Sequence, residues 1–221
     1  MIKLFAHRGF TFDDKNQQNK INQNSLASLK NAVNHGFKAI EFDIWYFNSQ
    51  LVLCHGQPNL SNFQSLTKFS EYFIYGNELD YWLDFKNLNE VNIENALKLV
   101  KSQINNAKIN LDKIFFAPYC TDYFLSQKIF FKFRKIFGSS IKLVAVVDND
   151  RQIPSLYEFV TKNNVKYISI DYKLINQNLI IKFEDQVFLA WTINDRPAFN
   201  SLVKSGIKYF ATDKILPNLL S

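Results

Sequence analysis

Short apolar runs alternate with longer amphipathic stretches along the chain. Strands are predicted at residues 2–7, 38–44, 81–86, 114–118, 142–147, 167–171, 187–192 and 209–211. Continuous apolar runs of this length suit strands buried on both faces, as parallel sheets require. Helical periodicity fills most intervals, at 25–34, 91–105, 122–137, 155–163, 177–183 and 197–205. Strand–helix alternation repeated in this way argues for βα units, and eight such units close a (β/α)8 TIM barrel. An open doubly wound sheet is the alternative, but no Gly-x-Gly-x-x-Gly follows the first strand. One further strand-like piece, 51–55, follows 38–44 after a short polar link and has no helix before it. That spacing predicts a small antiparallel hairpin on the second barrel strand. Ser25 or Asn24 is placed to cap the first helix, and Gly36 and Gly206 to end the first and last. No Pro-, Gly- or Ser-rich linker interrupts the pattern, so residues 1–221 read as a single domain.

Composition narrows the picture. The 221 residues are 47% hydrophobic and 21% charged, a globular balance that excludes collagen-like, coiled-coil and wholly disordered chains. Six Gly and five Pro are few for a chain of many short hairpins, which disfavours a β-sandwich. The net charge of +6 would favour anionic partners, but lysines are spread along the chain without a basic block, so no nucleic-acid partner is expected. Two cysteines make no disulfide framework, and Cys54, in the apolar run Leu51–Leu53, reads as a small buried hydrophobe. No apolar run reaches the length of a membrane span, and the start of the chain lacks a signal-peptide pattern. A cytoplasmic protein without stable membrane insertion is expected; no oligomeric state is assigned.

Chemistry collects at the strand ends. His7-Arg8-Gly9 closes the first strand, Glu41-Phe42-Asp43 the second, His55 the hairpin strand, and Asp84-Phe85-Lys86 the third. Thr192, Asn194 and Thr212-Asp213 end the last two. In a barrel these ends share one rim, where active sites form. Glu41 and Asp43, two apart on a strand, point to the same side, with Phe42 turned into packing. Two adjacent carboxylates repel, and either one takes up a proton or a cation sits between them. Oxygen ligands favour Mg2+ or Ca2+, and Asp84 offers a third. Ordinary ion pairing at the rim is the competing explanation. By this logic, neutralising Asp43 would relieve repulsion and leave stability unchanged or higher. His7 and His55 are candidates for acid and base, and Arg8 and Lys86 for holding a phosphate. His35, at the end of an amphipathic helix, is assigned a structural role.

These residues, in order, resemble the glycerophosphodiester phosphodiesterases of the PLC-like phosphodiesterase superfamily. The resemblance rests on Ala6-His7-Arg8-Gly9, Asn24-Ser25 leading a helix, Gly36 before Glu41-Phe42-Asp43, and Val52-Leu53-Cys54-His55. It continues in Leu83-Asp84-Phe85-Lys86, Ala190-Trp191-Thr192-Ile193-Asn194 and Gly206 through Thr212-Asp213, with a weaker middle over 87–165. It implies a (β/α)8 barrel that hydrolyses glycerophosphodiesters to glycerol 3-phosphate and an alcohol. Glu41, Asp43 and Asp84 would hold one divalent cation, Mg2+ or Ca2+. His7 and His55 would act as acid and base, Arg8 and Lys86 would bind phosphate, and Trp191 would wall the glycerol.

Three positions depart from the family pattern, and all reduce carboxylate near the site. Gln23 stands for a Glu, Asp84 for a Glu, and Gly56 for an Asp. The stretch 56–80, where the family often carries a capping insertion, is short. A more open pocket accepting several alcohol headgroups is expected. Two other functions compete: a phospholipase acting on intact lipid, for which Phe130, Phe131 and Phe133 could supply an apolar rim, and a non-catalytic phosphodiester-binding barrel.

Overall fold

Every second residue of each strand faces inward, and that period of two builds the barrel from its floor to its rim. The computed structural model describes residues 1–12, 21–120 and 122–220. Eight parallel strands close the barrel: β1 (Lys3–Ala6), β2 (Ala39–Phe47), β4 (Asp80–Phe85), β5 (Ile114–Pro118), β6 (Lys142–Val147), β7 (Tyr167–Asp171), β8 (Val187–Trp191) and β9 (Tyr209–Thr212). β1 pairs with β9 over four residues and with β2 at Ala6↔Ile40, which completes the circle.

The helices are α1 (Leu26–Asn34), α2 (Ile93–Asn106), α3 (Tyr123–Phe137), α4 (Ile153–Lys162), α5 (Gln177–Lys182) and α6 (Arg196–Lys204). Each follows its strand, as the periodicity predicts, with ends shifted by one or two residues. α2 shows the cause of the alternation: Ile93, Ala96, Leu97, Val100 and Ile104 are buried, a single stripe laid on the sheet. α4 begins two residues before its predicted start, because Pro154 sits in the first turn, where a missing N–H costs nothing.

The hairpin lies where the sequence places it. β2 runs past the end of β1, and β3 (Gln50–Leu53) pairs antiparallel with the exposed upper half, Ile44↔Leu53 to Phe47↔Gln50. Asn48 and Ser49 both take positive φ, the type I′ arrangement that matches the twist of a two-residue hairpin. No α-helix lies between β3 and β4 among the described residues. Three short 3-10 turns, Phe63–Ser65, Phe69–Phe73 and Gly76–Glu78, take its place. Their aromatic side chains do the helix's packing: Phe69 and Tyr72 lie against Phe42, and Phe73 against Tyr81.

Inside the barrel, Phe5 packs edge-on against both Trp82 and Phe115, with Val144 and Leu189 in the same cluster. Lys3 and Asp80 form an ion pair below them. The lower half is therefore filled, and two residues further along each strand come His7, Asp84 and Trp191. Outside, Phe42, Leu83, Phe85 and Phe116 meet the helices. Phe130 and Phe133 belong to this packing, whereas Phe131 is exposed. No helix among the described residues is long and apolar enough to cross a membrane.

Candidate active site

The first strand turns sharply after Ala6, and that turn aims its polar residues. Arg8 and Gly9 both have positive φ, 54° and 74°. A Cβ on Gly9 would meet Ser28 Oγ at 2.2 Å, so only glycine lets the turn pass this close to α1. Ser28 is fixed there because it closes a capping box with Ser25, whose hydroxyl accepts from the Ser28 N–H at 3.1 Å. The turn leaves the Arg8 N–H donating to Glu41 Oε2 at 2.9 Å.

His7 is held from two sides. Its Nδ1 lies 2.8 Å from Asp213 Oδ1, and Asp213 Oδ2 accepts from Asn194 Nδ2 at 2.9 Å. Asn194 is itself locked, since its Oδ1 accepts from the Asp213 N–H at 2.8 Å and the Thr212 hydroxyl at 3.2 Å. Burial pushes the Asp213 carboxyl up, but the hydrogen bond and charge of His7 outweigh it and hold the group below its ordinary range. With Nδ1 engaged, His7 Nε2 faces the site, 3.8 Å from Glu41 Oε2 and 3.4 Å from the Thr192 hydroxyl.

Glu41, Asp43 and Asp84 come together as the i, i+2 spacing requires, because Asp43 and Asp84 are register partners on β2 and β4. One oxygen from each lies within 4.8 Å of the others. Their environments differ. Asp43 has Lys86 Nζ at 2.8 Å from Oδ1, Arg8 Nε at 3.0 Å from Oδ2, and the Asn24 amide donating to Oδ2 at 3.0 Å. Burial pushes its carboxyl up, but the Lys86 and Arg8 charges prevail and keep it low. Burial drives Glu41 up to about 7; His7 opposes this, while Asp43 and Asp84 add to it. Burial also raises Asp84, against the pull of Lys86 at 2.5 Å.

This division corrects one expectation. Adjacent carboxylates do repel, but Asp43 is the member that balances two cations, so neutralising it does not relieve the site. Glu41 carries the strain instead.

Three carboxylates facing two cations leave an excess of negative charge in a buried place. A divalent cation with oxygen preference fits that excess. Asp84 Oδ1 supports the fit, being buried without a hydrogen-bond partner among the described residues. Asp84, although one methylene shorter than Glu, keeps its place in the cluster.

His55 reaches the same carboxylate from the hairpin. The chain leaves β3 with the Cys54 N–H donating to the Asp43 carbonyl, and His55 Nδ1 lies 3.6 Å from Asp43 Oδ2. Its side chain is 59% exposed, against 11% for His7. Partial burial and the Arg8 cation lower its pKa. A cavity of about 220 Å³ is lined by His7, Arg8, Glu41, Asp84, Lys86 and Trp191, among others. All eight predicted site residues thus fall in one neighbourhood, His55 at its outer edge.

Several members escape sequence reasoning. Asn24 reads as a helix cap, yet Ser25 takes the cap and Asn24, 2% exposed, grips Asp43 through both its amide and its carbonyl. Tyr119 and Asp148 line the cavity two positions beyond Ala117 and Val146, so extending the inward alternation past the strand ends finds them. Cys54 corrects another expectation: it is only partly buried, whereas Cys120 is buried. His35 matches its structural assignment, with Nδ1 2.8 Å from the Asn31 carbonyl and its ring against Phe10.

No family model and no curated protein matches the chain. Solved structures do. A protein of Agrobacterium tumefaciens assigned as a glycerophosphoryl diester phosphodiesterase superposes with a TM-score of 0.77 at 13% identity, covering 99% of this chain and 95% of that one. A glycerophosphodiester phosphodiesterase from Parabacteroides distasonis gives 0.73 at 14% identity, over 96% and 92%. An Oleispira antarctica phosphodiesterase in complex with sn-glycerol-3-phosphate gives 0.72 at 15%, over the same shares. The chain therefore folds as a (β/α)8 barrel of the glycerophosphodiester phosphodiesterase type.

Proposed function

We propose that this barrel belongs to the glycerophosphodiester phosphodiesterases and hydrolyses glycerophosphodiesters to glycerol 3-phosphate and an alcohol. The observation that carries this is the facing arrangement of His7, oriented by Asp213, and the Glu41–Asp43–Asp84 cluster across one cavity that also holds Arg8 and Lys86. The likeness in fold supports the reading. Glu41, Asp43 and Asp84 would hold one Mg2+ or Ca2+, which when bound supplies Lewis-acid neutralisation of phosphoryl charge.

The remaining work falls to the chain's own groups. Arg8 and Lys86 draw the phosphate into the cavity and offset charge growing on its oxygens. His7, with Nδ1 tied to Asp213, presents Nε2 to take the proton of the glycerol hydroxyl beside the phosphate. That hydroxyl attacks phosphorus, an intramolecular step favoured by proximity, and forms a cyclic phosphate. His55, at the open edge, gives a proton to the departing alcohol. Water then opens the ring with the two roles exchanged. Trp191 walls the glycerol carbon chain. A cytoplasmic enzyme acting on small deacylated substrates suits this site.

The test is release of glycerol 3-phosphate from glycerophosphocholine with Mg2+ or Ca2+ present, and its loss in His7→Ala. Absence of hydrolysis by the wild-type protein under both ions would favour a non-catalytic binding barrel. A second reading, action on intact lipid, draws on Phe12, Leu60 and Val91, exposed residues in the loops after β1, β3 and β4. Hydrolysis of liposomal phospholipid at a rate matching glycerophosphocholine would favour it.

A further inference from the structure

The cavity has a second polar wall that the proposed chemistry leaves unused. On it, the Tyr119 hydroxyl donates to Asp148 Oδ2 at 2.6 Å, and Asn149 Nδ2 donates to Asp148 Oδ1 at 2.5 Å. Gln152, 7% exposed, accepts from the backbone N–H groups of Asp148 and Asn149 at 2.9 and 3.3 Å, so the backbone carrying the carboxylate is braced as well. The hydrogen bond to Asp148, then burial, raises the Tyr119 phenol to about 12 and keeps it a donor. Each Asp148 oxygen retains a lone pair for a further partner. Trp82, 2% exposed, lines the same cavity, and its indole Nε1–H is buried without a partner among the described residues. Ser169 adds a hydroxyl-bearing residue to the lining.

An anchored acceptor and an unpaired donor in one small cavity select for ligand groups that both donate and accept. A hydroxyl does both. A primary ammonium only donates, and a quaternary ammonium does neither. We propose that Asp148, braced by Tyr119, reads the free hydroxyls of the glycerol end of the substrate, with the Trp82 indole N–H as the complementary donor. The inference rests on the phosphodiesterase reading, which places the phosphate at Arg8 and Lys86. It assigns the inner cavity to the polyol and leaves the alcohol headgroup at the mouth.

Calorimetric titration with Mg2+ present tests it, using sn-glycerol 3-phosphate and ethyl phosphate, which share the charged group and differ in the hydroxyls. Wild-type protein is expected to bind glycerol 3-phosphate at least about tenfold tighter, the least that one hydrogen bond to a charged group supplies. Asp148→Asn should bring the two affinities within about twofold of each other while leaving that for ethyl phosphate unchanged. Tyr119→Phe, which removes one oxygen and spares the carboxylate, should lose part of the preference. Equal affinities in the wild type, or an undiminished preference in Asp148→Asn, would overturn the polyol subsite and leave the phosphodiesterase reading standing. Failure of the wild type to bind either ester would overturn both.

Discussion

Asp213 Oδ1 sits 2.8 Å from His7 Nδ1 although the two residues are 206 positions apart. The contact fixes which ring nitrogen faces the carboxylates, and Asn194 fixes Asp213 in turn. An imidazole held this way keeps one tautomer and one orientation.

Replacing Asp213 with Asn should therefore cost far more in rate than in binding. A fall in kcat of about 10²–10⁴ is expected, by comparison with orienting carboxylates elsewhere, with KM changed little. The same variant should flatten the acid limb of stability. Asp213 has a lowered folded pKa, so its contribution is present above its unfolded value of 3.8 and is lost as pH falls through the folded value. Thermal melts of both proteins from pH 5 down to pH 2, with steady-state kinetics at neutral pH, check both halves.

Glu41 predicts the opposite trend. Its folded pKa of about 7 lies above the ordinary 4.5, so between those values the folded chain binds more protons than the unfolded one. Stability without cation should then fall as pH rises through that window. Added Mg2+ or Ca2+ should raise the melting temperature more at pH 8 than at pH 5.5, and Glu41→Gln should remove most of that difference. An equal response at both pH values in the wild type would count against the cation site.

Asp43→Asn should destabilise the protein. It removes the carboxylate charge facing Arg8 and one of the two that hold Lys86, side chains only 18% and 22% exposed. A loss of about 3 kcal/mol is expected, the low end for a broken buried pair, together with a fall in turnover of at least 10²-fold. Chemical denaturation supplies the first number, and an unchanged midpoint would refute the balancing role given to Asp43.

Gly9→Ala tests the turn. The added methyl would overlap Ser28 Oγ and must adopt a φ of +74°. A destabilisation exceeding about 1 kcal/mol is expected, with reduced activity because Arg8 and His7 share the displaced segment. Melting and rate measurements on one preparation show whether the two fall together.

The thiols offer a check independent of activity. Burial pushes Cys120 up to about 11, and Cys54 is less buried. A thiol reagent at pH 8 should modify Cys54 first and Cys120 only on unfolding. Equal rates would place Cys120 nearer the surface.

Much of the fold was legible because each element is governed by its own periodicity. Apolar runs such as Leu143–Val147 have no polar face, and α2 carries a complete stripe, so strand and helix separate locally. The Glu41–Asp43 pair was legible for the same reason, since an i, i+2 spacing defines a face without knowledge of neighbours. What stayed hidden depends on distant partners. Asn24 looks like a helix cap until β2 brings Asp43 within 3.0 Å of it. Asp148 looks like an ordinary loop acid until Tyr119 meets it from just beyond the end of β5. The electrostatic order within the acid cluster was likewise invisible, because it depends on which carboxylate Lys86 and Arg8 approach. The link between β3 and β4 shows no helical stripe and forms none, and its scattered aromatics gave no sign that they would cover Phe42.

The circle of strands closes where β1 meets β2 at one side and β9 at the other, and this seam carries His7 and Arg8. The first and last strands of the barrel are thus interdependent. A chain still emerging during synthesis, short of residue 213, would already contain every acid of the cluster and both imidazoles, yet its first imidazole would lack the brace that sets its orientation. Competence should consequently switch on late and abruptly, with the arrival of the last strand, rather than accumulate as the barrel grows.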